Sequence, residues 1–320
     1  MTGRITWVIT DGKAGHVTQA MGLADAMGFD TVEKTIFPAI PWRWLPASLW
    51  PRGVSGLGGD TDILSGTPPD LIISCGRHAV GPALWVKSRS QGHSFHIHVE
   101  HPRVDPRRFD LIASPKHDGL KAPNVISVLG SLHRVTPQKL TAAAADLAPK
   151  LSYLPHPRVA VLLGGNNSVY RLTDAVTDQL ADGLQRLTKD FGAGLMVTAS
   201  RRTGAAAEAR LRDRLADLPC EFWDGTGDNP YLGFLGSADA IVVTCDSVNM
   251  ASEACSTGKP VYVVNLESSR DSKFAAFHKS LADAGITRPF DGTLDTWTYE
   301  ALDETARVAA ELRQRMESAE

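Results

Sequence analysis

Cysteine is scarce in this chain: four in 320 residues, Cys75, Cys220, Cys245 and Cys255, with no Cys-x-x-Cys spacing among them. That excludes a zinc ribbon or a thioredoxin-like redox pair. Three of the four end or border apolar strand-like runs, which predicts buried, reduced thiols of a cytosolic protein. No apolar run approaches the ~20 residues that span a bilayer. Met1 leads directly into a strand-like run at 4–10 with no signal or transit pattern before it, so the expected location is cytoplasmic. Charge of one sign is missing too. With 33 Lys and Arg against 36 Asp and Glu, the formal net charge is −3, and nothing points to nucleic acid. The chain has neither Gly-x-Gly-x-x-Gly nor a P-loop, which argues against a dinucleotide oxidoreductase and a P-loop NTPase. Ser247 lacks a Gly-x-Ser-x-Gly elbow, which argues against a serine hydrolase.

What is present is an α/β pattern, long enough for two domains that each close a core. Hydrophobic residues make up 43% and charged residues 22%, ordinary values for a globular chain. The first half predicts strands at 4–10, 31–37, 70–74, 95–99, 109–113 and 124–128, with helices over 17–27 and from about 77. A Trp-, Pro- and Gly-rich segment, 38–69, reads as a short helix plus loop. An Ala-rich helix at 140–150 and the two prolines of 152–157 precede a restart of the pattern. Strands then fall at 158–163, 194–199, 220–223, 240–244 and 261–264, with helices from 173, over 205–215, over 230–235 and after 246. A last amphipathic helix, 298–319, would bury Leu302, Ala306, Ala309 and Leu312. Strands alternating with helices predict two Rossmann-like parallel sheets, a domain over 1–151 and a second over 152–296. Residues 297–320 form a terminal helix with room to pack back on the first domain. Ligands in such sheets sit beyond the carboxyl ends of the strands, here expected in a cleft between the domains.

The polar turns fall at those ends. Val243-Thr244-Cys245-Asp246-Ser247 ends a buried strand and opens a helix, with Asp246 or Ser247 as N-cap and Met250 and Glu253 on its first turns. A helix N-terminus offers unpaired N–H groups to an anion, and Glu253 stands where a carboxylate accepts hydrogen bonds from a ribose diol. A plain αβ unit would use the same residues as caps and leave Glu253 solvated. Gly164-Gly165-Asn166-Asn167-Ser168 holds the corresponding turn of the first strand of that half and suits phosphate contact. Ser200-Arg201-Arg202-Thr203, at the neighbouring strand end, suits bidentate diphosphate binding, with Arg201 the chosen cation and Ser200 beside it. In the first half, Asp11-Gly12-Lys13-Ala14-Gly15-His16 opens the first helix. Gly12 and Gly15 let a ligand approach the backbone, and His16 is the candidate general base with Asp11 beside it, or alternatively a capping histidine. His93, His96, His98 and His101 cluster around one strand; His96 and His98 share a face, but no second cluster completes a metal set, so no metal is expected. Glu100 ends that strand, and His78 and the pair His117-Asp118 follow others.

These residues, with Gln19-Ala20-x-Gly22-Leu23-Ala24, Pro102-Arg103, Phe109-Asp110-Leu111, Pro115-x-His117-Asp118 and Asp246-Ser247-x-x-Met250-x-Ser252-Glu253, resemble the mitochondrial fission family named for the elongated-mitochondria mutant of plants. The resemblance covers nearly the whole chain. Where relatives often carry Gln-Asp before Pro-Arg, this chain has Glu100-His101. More widely, the chain resembles GT-B glycosyltransferases, especially the enzyme that adds N-acetylglucosamine to the lipid-linked peptidoglycan precursor. That resemblance implies a GT-B-like fold, a glycine-rich loop ending in His16 near acceptor and donor phosphates, and Glu253 on the ribose. Gly258-Lys259-Pro260 and the Asp-Arg-containing segment 269–273 look like the strand and helix that follow in that enzyme. It also places the base near Asp228-Asn229-Pro230-Tyr231, with Asn229 as its contact.

Three readings follow. The first is an inverting, metal-independent glycosyltransferase taking a nucleotide sugar, UDP-linked, as substrate and no cofactor. No Asp-x-Asp pair stands in the loops of the second half, so Arg and a helix N-terminus would carry the diphosphate charge. The acceptor would be lipid- or glycan-linked, which is compatible with peripheral membrane contact. The second is a scaffold on a retained GT-B fold, as the recruiting role of the plant relative implies. The third is a hydrolytic sugar-nucleotide epimerase, which needs several acids and a histidine facing the sugar, a set the sequence alone does not assemble. Sugar, base, acceptor and oligomeric state are not readable from the sequence.

Overall fold

The computed structural model describes residues 3–40, 56–61, 65–268 and 273–319. Of the segment 38–69, expected as a short helix plus loop, residues 41–55 and 62–64 fall outside the described residues, as does the 269–272 part of the Asp-Arg-containing segment. By its internal contacts the chain divides into two compact units, Met1–Arg134 with Asp303–Glu320, and Val135–Leu302.

The first unit opens with β1 (Ile5–Thr10), α1 (Ala14–Met27), β2 (Asp30–Pro38), β3 (Leu57–Gly59) and β4 (Leu71–Cys75). It continues through α2 (Val80–Arg89), β5 (Phe95–Val99), β6 (Leu111–Pro115) and β7 (Val125–Val128). The strands form one sheet in the order β3-β2-β1-β4-β5-β6-β7, parallel throughout except for β3, which runs antiparallel to β2. The short apolar runs read as strands because both faces are covered, so neither face has to be polar. Val8, Leu71, Ile73, Ile97 and Leu111 point to one face with Ala20, Leu23 and Met27 of α1. Trp7, Ile9 and Ile72 point to the other, against Ala83 and Val86 of α2. Helix α1 starts three residues earlier than expected and ends on Gly28, whose left-handed φ of 72° lets its N–H bond Ala24 O.

The second unit contains α3 (Pro137–Leu147), β8 (Arg158–Leu163), β9 (Tyr170–Arg171), α4 (Asp174–Phe191), β10 (Gly194–Ala199), α5 (Ala205–Leu215) and β11 (Cys220–Phe222). It goes on with α6 (Tyr231–Ser237), β12 (Ala240–Thr244), α7 (Val248–Cys255), β13 (Val261–Val264), β14 (Glu267–Ser268), α8 (Lys273–Asp283) and β15 (Thr287–Pro289). Six of the strands make an all-parallel sheet, β11-β10-β8-β12-β13-β15, and β9 and β14 make a small antiparallel pair. Thr136 caps α3 and Thr173 caps α4, each hydroxyl accepting a backbone N–H three residues on. The chain changes unit at Arg134/Val135, upstream of the expected 151/152, because α3 packs against α6 of the second unit.

A final helix, α9 (Glu304–Ala319), belongs to the first unit, where it buries Val308, Ala309, Leu312 and Met316 against the α1 side of the sheet. The expected helix from 298 with Leu302 and Ala306 on the buried face needs correction. Asp303 Oδ1 accepts the Ala306 N–H at 2.9 Å and sets the helix start there. Ala306 is exposed, and Leu302 belongs to the second unit. Cys75, Cys245 and Cys255 are buried and Cys220 is half-buried, all as free thiols.

Strand order identifies where each sheet opens a crevice. In the first, the chain moves from β1 to β2 on one side and from β4 to β7 on the other, so the order reverses between β1 and β4. In the second it reverses between β8 and β12. Loops leaving adjacent strands in opposite directions open a crevice at the strands' carboxyl ends.

Candidate functional site

At the first reversal, the loop after β1 carries Asp11 and the first turn of α1 carries His16. The His16 Nδ1 lies 2.6 Å from Asp11 Oδ1, and Lys13 Nζ donates to Asp11 Oδ2 at 2.8 Å. The loop after β4 adds His78, whose Nδ1 is 3.3 Å from Asp11 Oδ2. The end of β5 adds Glu100, with Oε2 3.5 Å from His16 Nε2 and Oε1 accepting Gln19 Nε2 at 3.0 Å. Gly76, φ 83°, makes room for the imidazole: a Cβ there would sit 2.4 Å from His16 Nδ1. Glu100 itself holds a φ of 81°, a left-handed conformation that costs a non-glycine residue on the order of 1–3 kcal/mol. That conformation aims a carboxylate at the far side of His16.

The electrostatics follow from this packing. Burial, the largest single influence, raises the Asp11 carboxyl, but hydrogen bonds from His16 and Lys13 and their charges together outweigh it and hold it well below the usual carboxylate range. Burial lowers His16, yet the Asp11 hydrogen bond and the Glu100 and Asp11 charges win, so its pKa is raised above 6.5. His78 goes the other way, lowered chiefly by burial. An ionised Asp11 on Nδ1 fixes the tautomer that leaves Nε2 as the proton acceptor. The arrangement can take a proton from a hydroxyl and, with Glu100 alongside, hold it.

His96 and His98 stand apart from this group. Both are wholly buried, each 2.8 Å from Ser74 Oγ and packed on Phe109. Burial pushes His98 down to about 3 and His96 well below its ordinary value, so both are neutral core residues. His93 pairs with Asp70, and His101 accepts the Arg103 N–H. Among the described residues, no group of three or more His, Cys, Asp or Glu side chains converges as metal ligands.

At the second reversal, Ser247 is the N-cap of α7, its hydroxyl accepting Met250 N at 3.3 Å. Asp246, the alternative cap, turns inward instead. Its Oδ1 accepts Thr244 Oγ1 at 2.7 Å, and Arg202 Nη2 lies 2.7 Å from Oδ2. Gly164 is required because a Cβ would come within 2.1 Å of that carboxylate. At Gly165, φ 150°, a Cβ would meet Arg202 O at 2.2 Å. The expected anion cradle of this turn is reduced in the structure. The Gly164 N–H is taken by Thr244 Oγ1 (2.7 Å) and the Asn166 N–H by Arg202 O (2.9 Å), while Asn166 Oδ1 accepts Leu172 N. The turn is thus braced from within, its polar groups spent on neighbouring backbone and side chains. Arg201 is exposed and makes no ion pair to a described residue; Arg202, passed over in the sequence, is anchored on Asp246. Ser200 Oγ accepts Arg202 N at 3.2 Å and so shapes the arginine loop.

Glu253 is half-buried on α7, and Tyr231 at the start of α6 donates its hydroxyl to Oε2 at 2.5 Å. Burial pushes Glu253 up to about 7, against that hydrogen bond. Asn229 Oδ1 accepts Tyr231 N at 3.0 Å. With Asp228 and Pro230, Asn229 also lines a cavity of about 650 Å³ that includes Trp223 and the end of α3 but not Glu253 or Ser247. Sequence reasoning missed the Tyr231–Glu253 and Arg202–Asp246 contacts and the Gln19–Glu100–His16 link, because the partners lie 22 to 84 residues apart. The strand-end position of Glu100 was the one signal available.

Both sheets have counterparts among solved structures. The chain is similar to UDP-GlcNAc 2-epimerase of Methanocaldococcus jannaschii, solved in complex with UDP-GlcNAc and UDP, at 12% identity and a TM-score of 0.54 over 98% of this chain and 100% of that one. It is similar to the spinosyn forosaminyltransferase SpnP at 14% identity and a TM-score of 0.52 over 99% and 96%. The fold is therefore the GT-B type, two Rossmann-like units in series. In sequence it is 32% identical to the mitochondrial fission protein ELM1 of Arabidopsis thaliana over 292 residues, 83% of this chain and 67% of that protein. The family model described as Mitochondrial fission ELM1 matches residues 14–316, from the first turn of α1 to the buried Met316 of α9, and on that span the chain belongs to the mitochondrial fission ELM1 family.

Proposed function

We propose that this protein is a metal-independent, inverting glycosyltransferase that takes a UDP-linked sugar as donor. The observation that carries the reading is the Asp11–His16–Glu100 group at the strand-order reversal of one sheet, in a chain whose second sheet places a helix N-terminus and two arginines at its own reversal. His16 Nε2 takes the proton of an acceptor hydroxyl as its oxygen bonds to the anomeric carbon. The bond from that carbon to the donor diphosphate breaks, and UDP leaves with the electron pair. The first-turn N–H groups of α7, Ser247, Arg201 and Arg202 take up the charge that develops on the diphosphate. Glu253 accepts a hydrogen bond from the ribose, and Asn229 lies toward the base.

One observation favours a second reading, a hydrolytic sugar-nucleotide epimerase. The acids and histidines that such chemistry needs, Asp11, Glu100, His16 and His78, do assemble in the first unit. A structural neighbour, a UDP-GlcNAc 2-epimerase, was solved with UDP-GlcNAc and UDP.

The test starts with thermal-shift and calorimetric titration of UDP, GDP and UDP-GlcNAc against the wild type and Glu253→Ala. Saturable UDP binding weakened by the substitution supports the donor site. UDP release from UDP-GlcNAc only when an acceptor is added, lost in His16→Ala, supports transfer; release with inversion at the sugar's second carbon and no acceptor supports epimerisation. A folded protein that binds none of these nucleotides supports a scaffold and overturns both.

A further inference from the structure

The Tyr231–Glu253 contact has a consequence for which nucleotides the second unit accepts. A carboxylate that clamps a ribose diol presents both oxygens, one to each hydroxyl. Here the Oε2 oxygen already receives the Tyr231 hydroxyl at 2.5 Å. The ring that brings this hydroxyl comes from the first residue of α6, whose backbone N–H is fixed by Asn229 Oδ1 at 3.0 Å, so the phenol is anchored at its helix end. Helix α7 is fixed separately, by its Ser247 cap and by Ser252 Oγ donating to Val248 O at 2.8 Å. Each helix is thus held by bonds of its own that do not depend on the Tyr231–Glu253 contact.

The geometry points to Tyr231 as a positioning residue that reserves one oxygen of Glu253, so that the site reads a single ribose hydroxyl instead of the diol. This rests on the donor reading above. A hydrogen bond to an ionised group is the strong kind, and a site built to make it rejects the analogue that lacks it. The ribose hydroxyl on Oε1 has that oxygen to itself and is strongly required, while its neighbour shares Oε2 with the phenol hydroxyl and contributes less. Freed of the phenol hydroxyl, Glu253 would engage both.

The experiment is calorimetric titration of UDP, 2′-deoxy-UDP and 3′-deoxy-UDP against the wild type and Tyr231→Phe, with thermal melts showing that the variant folds. For the wild type, one deoxy analogue should bind about tenfold or more weakly and the other within about threefold of UDP. In Tyr231→Phe both analogues should be weakened by similar factors. A merely structural role for Tyr231 would lower all three affinities together and leave their ratios unchanged. Equal loss for both analogues in the wild type overturns the inference while leaving the donor site standing, as does no loss for either or an asymmetry that survives in Tyr231→Phe. The wild-type arm decides by itself if the variant does not fold. Absence of any UDP binding to the folded wild type overturns the donor reading, and the inference with it.

Discussion

Asn in place of Asp11 removes one negative charge from the His16 pair while keeping an oxygen that can accept the Nδ1–H. The pair is partly shielded from water, with side-chain exposures of 17% for His16 and 3% for Asp11 and a separation of 2.6 Å. His16 has a folded pKa raised above 6.5, so its stabilising contribution is complete below that value and disappears as pH climbs through the folded one. Asp11 has a folded pKa depressed below 3.8, so its contribution is present above 3.8 and fades as pH falls further. The two overlap between roughly pH 4 and 6.5, where both partners are charged. The lost charge interaction should cost about 1–2 kcal/mol there, shrinking as pH climbs through the folded His16 pKa and the imidazole loses its charge. Urea unfolding of wild type and Asp11→Asn at about pH 5.5 and 9, with a proton NMR titration of the His16 ring, measures both quantities. The ring pKa should fall, because the Asp11 charge and hydrogen bond that raise it are weakened. An equal penalty at both pH values, or an unmoved His16, would refute the idea that the Asp11 charge raises the basicity of this imidazole.

Nucleotide binding near pH 7 should expel about half a proton, because Glu253 sits at about 7 in the free protein and a ribose donor favours its charged form. Binding enthalpies in buffers of different ionisation enthalpy report this, and buffer-independent values would remove Glu253 from the ribose. Gly164→Ala places a methyl about 2.1 Å from Asp246 Oδ1 and should destabilise the second unit by about 1–3 kcal/mol. Combined with Asp246→Ala the penalties should not add, whereas additivity within about 0.5 kcal/mol in urea titrations would show that the methyl and the carboxylate do not meet. Leu312→Ala opens the wholly buried contact of α9 in the first unit and should cost about 2–4 kcal/mol. A loss below about 1 kcal/mol would show that α9 does not seal that core.

The architecture was legible because its signals are local. Runs such as Leu71–Cys75 and Ala240–Thr244 are buried along their whole length, so they stand out as unbroken apolar stretches wherever they occur. The polar turns that follow announce strand ends for the same reason. Boundaries failed where a single side chain overrode the pattern. Apolar periodicity allows the last helix to begin at 298, but one hydrogen bond from the Ala306 N–H to Asp303 starts it at 304. The Ala-rich helix at 137–147 carries no mark of its partner, and only the fold shows that it lies on α6, some ninety residues further along.

The candidate sites divide along the same line. Asp11 and His16 were visible as a pair because five residues and one turn of helix join them. What gives that pair its character was not, since Glu100 reaches His16 from β5 and does so through a left-handed backbone that no residue type announces. Likewise, two adjacent arginines look equivalent on a loop. Both are exposed, but the buried Asp246 carboxylate makes them unequal by pairing with Arg202 and not with Arg201. The same carboxylate explains the glycine beside it better than phosphate contact does. A negative charge lies next to the Gly164 turn, and its ion pair with Arg202 offsets it. An incoming diphosphate then competes with Asp246 for Arg202 while finding Arg201 unopposed. Removing Arg201 should therefore weaken nucleotide binding more than removing Arg202, and the reverse order in calorimetric titration of the two alanine variants would show that the diphosphate displaces Asp246.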